Sequence, residues 1–404
     1  MNASTNSVIK QPIYYKPETA DMFAALLSSV KANAANIPPT LAKLQNSSAQ
    51  LFADYGVPYP KLERWKYSNF YPALKKHSFS QSLNAETWGG DIAYLKPMSE
   101  VLNEPWVQGI LSQSAPESGE LKDDNAFWYL NDAQCNIGWV IDIPANVELD
   151  KPLCLESING EGAYNAMRII IRLGKNARAV VKENHRSENA DARYFKNWVT
   201  QVELAEGAHL THLRTQNDGL QAAYVQNTHV KLSRNAEFYS LTTNTGAHIF
   251  RNQYQIDMDG EGAHASVRSS ANVADEQHID FTSCVNHNVK SCTSEQIVRN
   301  VLGGKATGVF QGKAYVKKGA DFTDGSQSSK AILLSPYASM HAKPELEIYA
   351  DEVKCAHGST CGALDEGALF YARSRGVPFD DARMMLVHAF LEEVKHGLPI
   401  ADQQ

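Results

Sequence analysis

A small turn signal, repeated at nearly constant spacing through the middle of the chain, constrains the fold most. Gly or Asn is followed by Ala at Asn176-Ala177, Gly207-Ala208, Asn235-Ala236, Gly262-Ala263 and Gly319-Ala320. Successive alanines lie 31, 28, 27 and 57 residues apart, the last interval spanning two periods. Asn146 lies 30 residues before Asn176, so the rhythm extends back to it. Gly and Asn tolerate left-handed backbone angles and sit where a strand turns sharply. The small residue beside them lets neighbouring coils approach. Short β-prone runs fill the intervals, at 168–173, 179–182, 198–204, 238–242 and 297–302. A period of roughly 20–50 residues marks a solenoid or a propeller. The runs are too short and irregular for four-stranded blades, and no Trp-Asp signature recurs. The pattern favours a mainly β solenoid whose coils stack on their neighbours, with a β-sandwich as the alternative. One signal expected near residue 291 is missing.

Three zones follow. Residues 1–125 read as a helical and irregular region ending in a connector at 112–124, rich in Ser, Pro, Gly and charge. Thr19 or Asp21 is placed to cap a helix carrying Met22, Phe23, Leu26, Leu27 and Val30, and Pro38 and Pro39 stop it. Leu41, Leu44, Leu51 and Phe52 predict a second, short amphipathic helix after Thr40. Residues 126–360 form the repeating core, and residues 361–404 return to helix. In that last zone Gly376 is a stop signal and Asp380 a candidate cap. Helices at both ends are expected to cover coil edges that would otherwise stay open.

Composition narrows the function. The chain has 404 residues, 43% hydrophobic and 21% charged, with 38 Lys+Arg against 45 Asp+Glu for a net charge of −7. That balance argues against disorder and against a strongly basic nucleic-acid binder. No apolar run is long enough to span a membrane, and the first residues lack a charged-then-apolar export signal. A cytoplasmic protein is expected. The six cysteines (Cys135, Cys154, Cys284, Cys292, Cys355 and Cys361) include no Cys-x-x-Cys pair, so neither a closed zinc site nor a disulfide framework is indicated.

Chemistry concentrates between Lys343 and Asp365. On a strand, residues two apart share a face, so Cys355 and His357 present a thiol and an imidazole together. Sulfur with imidazole suits iron–sulfur species, zinc or copper, and equally a thiolate activated by a base. A buried cysteine beside a satisfied histidine is the plainer alternative.

The string Lys343-Pro344-Glu345-Leu346-Glu347-Ile348-Tyr349-Ala350-Asp351-Glu352-Val353-Lys354-Cys355, with His357-Gly358 following, closely resembles the signature of the SufB/SufD family of iron–sulfur cluster assembly proteins. The likeness continues at Leu369-Phe370-Tyr371 and Arg373-Ser374-Arg375-Gly376. Upstream it touches Gly303-Gly304-Lys305-Ala306, Gly308-Val309-Phe310 and Gly312-Lys313, and near the start Glu63-Arg64-Trp65-Lys66-Tyr67. The SufD branch is the nearer one. SufB proteins are longer and carry a reactive cysteine just before the strand equivalent to 331–334, where this chain reads Gln327-Ser328-Ser329-Lys330. Cys361 departs from the pattern, standing where similar proteins carry an apolar residue; core filling is its expected role.

The resemblance implies a right-handed parallel β-helix flanked by helical regions. It implies a non-catalytic scaffold that pairs with a SufB-like subunit and binds a SufC-like ATPase through its carboxy-terminal helices. Isolated, such a chain can form a homodimer. Neither nucleic acid nor membrane is an expected partner, and no cofactor is held tightly by the chain alone. A nascent iron–sulfur cluster is shared with SufB, His357 and Cys355 being the implied transient ligands. Nucleotide binding is not implied, and Val301-Leu302-Gly303-Gly304-Lys305 lacks the first glycine and the hydroxyl of a phosphate loop.

Two rivals come from the residues themselves. Parallel β-helices host polysaccharide-cleaving enzymes, and Glu345 and Glu347 share a strand face as a candidate acid/base pair. A persulfide relay would use Cys355 as nucleophile, with His357 the only positive neighbour on its face. His209 and His212, three apart, fall on opposite faces, and His287 near Cys284 and Cys292 reads as structural.

Overall fold

The computed structural model describes residues 16–24, 26–28, 37–75, 80–81, 85–113, 125–134 and 137–399. The amino-terminal stretch, Val30, Cys135 and most of the 112–124 connector lie outside the described residues.

The five β-prone runs all fall inside strands, and those strands form two parallel sheets. One sheet contains Gly138–Ile143, Ala163–Leu173, Phe195–Leu204, Ala223–Leu232, Ile249–Met258, His278–His287, Thr307–Val316 and Ser339–Ile348. The other contains Leu153–Asn159, Arg178–Ser187, His209–Asn217, Glu237–Asn244, His264–Val273, Thr293–Leu302, Asp324–Leu333 and Lys354–Gly362. The chain alternates between the sheets, so each strand pairs with the one a full coil away; Ala223, for example, lies between Phe195 and Ile249. Parallel pairing in chain order makes a solenoid of about eight coils, and excludes the sandwich.

The repeated signal is the corner of that solenoid. Asn146, Asn176, Gly207, Asn235 and Gly262 all have left-handed backbones, with φ between 53° and 73°. Ala177, Ala208, Ala236 and Ala263, the residues after four of them, are fully buried. The amides of Asn146, Asn176, Gly207 and Asn235 each donate to the next coil, as Asn176 does to the Glu206 carbonyl at 2.9 Å. The missing corner is present in other residues: Ser291 has φ 61° and Cys292 is fully buried behind it. Gly319-Ala320, by contrast, is a turn out of register. Asp324 pairs with Thr293, so the corner in line is Phe322 (φ 60°) with Thr323, three residues later in a longer loop.

The lumen carries an apolar core that includes Ile169, Val202, Val230, Ile256 and Phe281. It also carries a buried charge network. Glu183 accepts from His185 (2.9 Å), His212 (2.8 Å) and Arg214 (2.7 Å), and Lys196 pairs with Asp218 at 3.2 Å. The outer face of the first sheet is covered as well. Phe23, Phe52, Trp65, Phe70 and Phe127 pack there on Tyr164, Phe195, Val199, Val225 and Ile249. The middle strands of that sheet are therefore buried on both faces, which is why Phe195–Leu204 and Ala223–Leu232 show no alternation of buried and exposed residues.

Local chemistry in the amino-terminal region differs from the reading above. Pro39 opens the Pro39–Tyr55 helix instead of ending the previous one, since a first-turn residue needs no amide donor. The first short helix begins at Pro17. The Thr19 hydroxyl donates to the Lys16 carbonyl and accepts from Val57 N, both at 2.7 Å, tying that segment down.

The two ends of the solenoid are treated differently. Short antiparallel strands, Ala85–Gly89 and Leu95–Pro97, pair with the first coil and close it. The carboxy-terminal helices do not cover the last coil, contrary to expectation. Glu366–Ser374, capped by Asp365, and Phe379–Glu392 form a hairpin whose tail folds back onto the second sheet's outer face. There Val394 and Leu398 meet Leu241, Arg268 donates to the Val394 carbonyl (2.8 Å), and Glu393 pairs with Arg299 (2.9 Å) and Lys330 (3.2 Å). Among the described residues, the strands Ser339–Ile348 and Lys354–Gly362 thus end their sheets with one edge unpaired.

Candidate functional site

Cys355 and His357 lie on that last, open strand. In register, Cys355 pairs with Gly325, His357 with Gln327, Ser359 with Ser329 and Cys361 with Ala331. Alternation puts Cys355, His357, Ser359 and Cys361 on one face. The face is the lumen side. A Cβ placed on Gly325 would lie 3.6 Å from Cys355 Sγ, 3.6 Å from Ser294 Oγ and 3.9 Å from Nε2 of the fully buried His287. In interior coils these columns are sealed, Gln327 being 3% exposed. No coil follows the last strand, so His357 is exposed and Cys355 half-buried. Cys361 is also exposed, so it fills no core as the sequence suggested.

Burial pushes the Cys355 thiol up and nearby Asp324 adds to this, while the Gly325 backbone acts in the opposite direction. The group is a thiol at neutral pH, not a standing thiolate. Binding a metal there must release a proton.

The Glu63-Arg64-Trp65-Lys66-Tyr67 segment braces the same end of the molecule from outside. Trp65 is buried with the Arg251 guanidinium 4.1 Å from its ring centre, and the Arg64 carbonyl accepts from Gln311 at 3.0 Å. Tyr67 stacks on His341 at 4.8 Å, and Glu63 pairs with Lys343 at 2.5 Å. His341 and Lys343 belong to the last strand of the first sheet. The strap therefore runs from the interior coils to the open one.

The remaining candidates separate from the site. His209 faces outward to Glu237 (3.1 Å) while His212 faces the lumen and Glu183, as their spacing predicted. His287 donates or accepts at Ser294 Oγ (2.9 Å), and burial holds its pKa down to about 4, so it stays neutral. Cys284 and Cys292 are buried, the latter against the Gly260 carbonyl. Glu345 and Glu347 are engaged by Lys343 and Lys313, an arrangement that suits ion pairing more than acid/base work. Gly304 (φ 53°) is a solenoid corner. Gln327 and Ser329, noted in the sequence only for lacking a thiol, sit on a strand that already begins at Asp324 and point into the lumen beneath His357. Among the described residues no three His, Cys, Asp or Glu side chains converge on a metal position, and no helix is long and apolar enough to cross a membrane.

Comparison with known proteins agrees with this architecture. Residues 156–390 match the family described as SUF system FeS cluster assembly, SufBD core domain. A SufBD family iron–sulfur cluster assembly protein of Synechocystis is 31% identical over 303 residues, covering 72% of this chain and 67% of its own length. The SufD protein of Escherichia coli is 31% identical over 253 residues, covering 61% of this chain and 60% of its own. That of Bacillus subtilis is 24% identical over 291 residues, 70% of this chain and 65% of its own. The matched region contains every coil from the second onward, together with the open strand and all but the last two residues of the helical hairpin, and on that ground the chain belongs to the SufBD family of iron–sulfur cluster assembly proteins.

Proposed function

We propose that this chain is a SufD-type scaffold of the SUF system, itself non-catalytic, on which a nascent iron–sulfur cluster is assembled as cargo at a joint with a SufB-like subunit. One observation carries the reading: the last coil is left open, with His357 and Cys355 on its uncovered lumen face. Two soft-to-borderline donors are too few to hold iron or a cluster alone, so a second subunit must supply the rest. Two unpaired parallel edges beside them offer backbone donors and acceptors to that subunit. His357 is the stronger ligand, being the more exposed of the two. In isolation the same edge can serve a homodimer. The five described cysteines are all free thiols, which fits a reducing, cytoplasmic setting.

The helical hairpin supports a second partner. Phe370, Tyr371, Met384 and Met385 are 74%, 62%, 62% and 59% exposed and form an apolar surface suited to a SufC-like ATPase. Its tail is clamped to the second sheet through Arg268, Arg299 and Lys330. Motion of the ATPase would thereby reach the strands behind the open coil, a rigid-body switch of the joint. A split ligand set responds to such motion because metal bonds tolerate only about 0.2 Å of error.

The raised Cys355 thiol favours this reading over a persulfide relay, which needs a ready thiolate. The direct test is co-expression with SufB-like and SufC-like partners, comparing wild type with His357→Ala. An intact complex depleted of iron and sulfide supports the assignment. An intact complex with undiminished cluster content overturns it.

A further inference from the structure

The two cysteines of the open strand are placed symmetrically about its middle. Lys354–Gly362 is 9 residues long, so Gly358 is its centre, with Cys355 three residues before it and Cys361 three after. Both thiols lie on the lumen face, one half-buried and one exposed, and among the described residues no strand covers their free edge. Lys354 N donates inward to the Thr323 carbonyl at 2.8 Å. Backbone polar groups alternate sides along a strand, so Lys354, Ala356, Gly358 and Thr360 spend theirs inward. Cys355, His357, Ser359 and Cys361 point theirs at the free edge.

A second copy of the chain fits this edge end to end. Two identical solenoids related by a twofold axis across their ends meet with their last strands antiparallel. Full overlap of Lys354–Gly362 with itself puts the axis at Gly358, where Cys355 faces Cys361 of the second copy, and the reverse. Both are edge-facing, so they form a hydrogen-bonded pair with Cα atoms about 5.5 Å apart, inside the roughly 4.4–6.8 Å that a disulfide spans. The first sheet obeys the same axis. Gln327, in register with His357, reaches across the lumen to the Glu345 carbonyl at 3.3 Å, which places Pro344 opposite Gly358. Around Pro344 the outward row His341, Lys343, Glu345 and Glu347 runs from basic to acidic. The axis sets Lys343 against Glu345 of the second copy and His341 against Glu347, so the row complements itself. Tyr349 N bonds inward to Val316, which turns the missing donor of Pro344 to the free edge, so side chains make the match there.

We propose that Cys355 and Cys361 are a redox pair that locks two copies of this chain end to end in the presence of a peroxide. The inference rests on the reading that the open edge serves a homodimer in isolation, and adds a covalent switch to it. Hydrogen peroxide passes one oxygen to a thiol, giving a sulfenic acid and a first water. The thiol opposite attacks that sulfur, expels a second water and closes the S–S bond. Two thiols lose two protons and two electrons, and one peroxide becomes two waters. Burial keeps both groups as thiols at neutral pH, so oxidation is slow and the resting chain stays reduced. The lock consumes Cys355 and covers both open edges. The dimer is then closed to a SufB-like subunit until a dithiol reductant reopens it by exchange.

Nonreducing electrophoresis of the purified chain, reduced and then exposed to hydrogen peroxide, tests this. Wild type should shift from monomer to dimer mass, with Cys355 joined to Cys361 in the peptide map, and dithiothreitol should reverse the shift. Cys355→Ser and Cys361→Ser should each lose the dimer band. Mixed while reduced and then oxidised, the two variants should regain it, because a mixed dimer keeps one facing pair. A band through the remaining cysteine of either variant alone, or none in the mixture, overturns the pairing. Light scattering on the reduced chain separates the two ideas. A reduced dimer that peroxide fails to crosslink sinks the lock and spares the homodimer, whereas a reduced monomer that peroxide fails to crosslink sinks both. Oxidised wild type should also lose capture by the SufB-like partner, and undiminished capture contradicts the switch.

Discussion

At the scale of single residues, the corner positions and the site obey different rules. A left-handed backbone costs a residue with a Cβ about 1–2 kcal/mol, and Asn bears it more easily than Ala. Asn176→Ala should therefore lower unfolding free energy by about that amount in chemical denaturation, and Asn176→Gly by less. Asn176 also donates to Asn146 Oδ1 at 3.1 Å, so part of the loss is shared with the coil below. At the site the governing quantity is the proton on Cys355. On the proposed role of Cys355 as a ligand, its raised pKa means that metal displaces a proton, so affinity should strengthen by up to about tenfold per pH unit as pH rises through the neutral range. Cobalt(II) titrations at pH 7 and 8 check the slope, and Cys355→Ser should flatten it.

Elements show where the sequence was legible and where it was not. Corners announced themselves because glycine and asparagine are chosen for backbone angle, a property of the residue alone. Ser291-Cys292 escaped because any small residue can sit behind the turn when the coil's own hydrogen bonds hold the angle. Cys355 and His357 were visible as a pair on one strand face by period alone, whereas their exposure depends on the absence of a next coil. Gln327 and Ser329 were silent, since a polar residue in a solenoid reads the same whether it faces solvent or lumen. The Glu63–Tyr67 strap was seen as a motif, but its purpose needed the contact between Trp65 and Arg251. Trp65→Ala should cost about 3–5 kcal/mol and speed hydrogen exchange in the strand Ser339–Ile348. The hairpin tail makes a contrasting case. Arg268→Ala removes the donor to the Val394 carbonyl, so proteolysis should begin in the tail, well before global unfolding.

The whole molecule is a stack closed at one end and open at the other. Antiparallel strands shield the first coil, and an aromatic-rich helical region seals the first sheet's outer face. Toward the carboxy terminus the described residues leave uncovered two strand edges, the His357 face and the exposed apolar side chains of the hairpin. Exposed residues contribute little to folding, so Phe370→Asp with Met384→Asp should leave melting within a few degrees and abolish ATPase co-purification. The open coil predicts that Cys355 reacts with a thiol reagent in the isolated monomer and is protected in the SufB-like complex. The most direct measurement is iron and acid-labile sulfide per assembled complex, purified anaerobically by size exclusion, with histidine or alanine at position 357. The account predicts a complex of unchanged size whose iron and sulfide fall to background in His357→Ala; equal iron and sulfide in both complexes would contradict it.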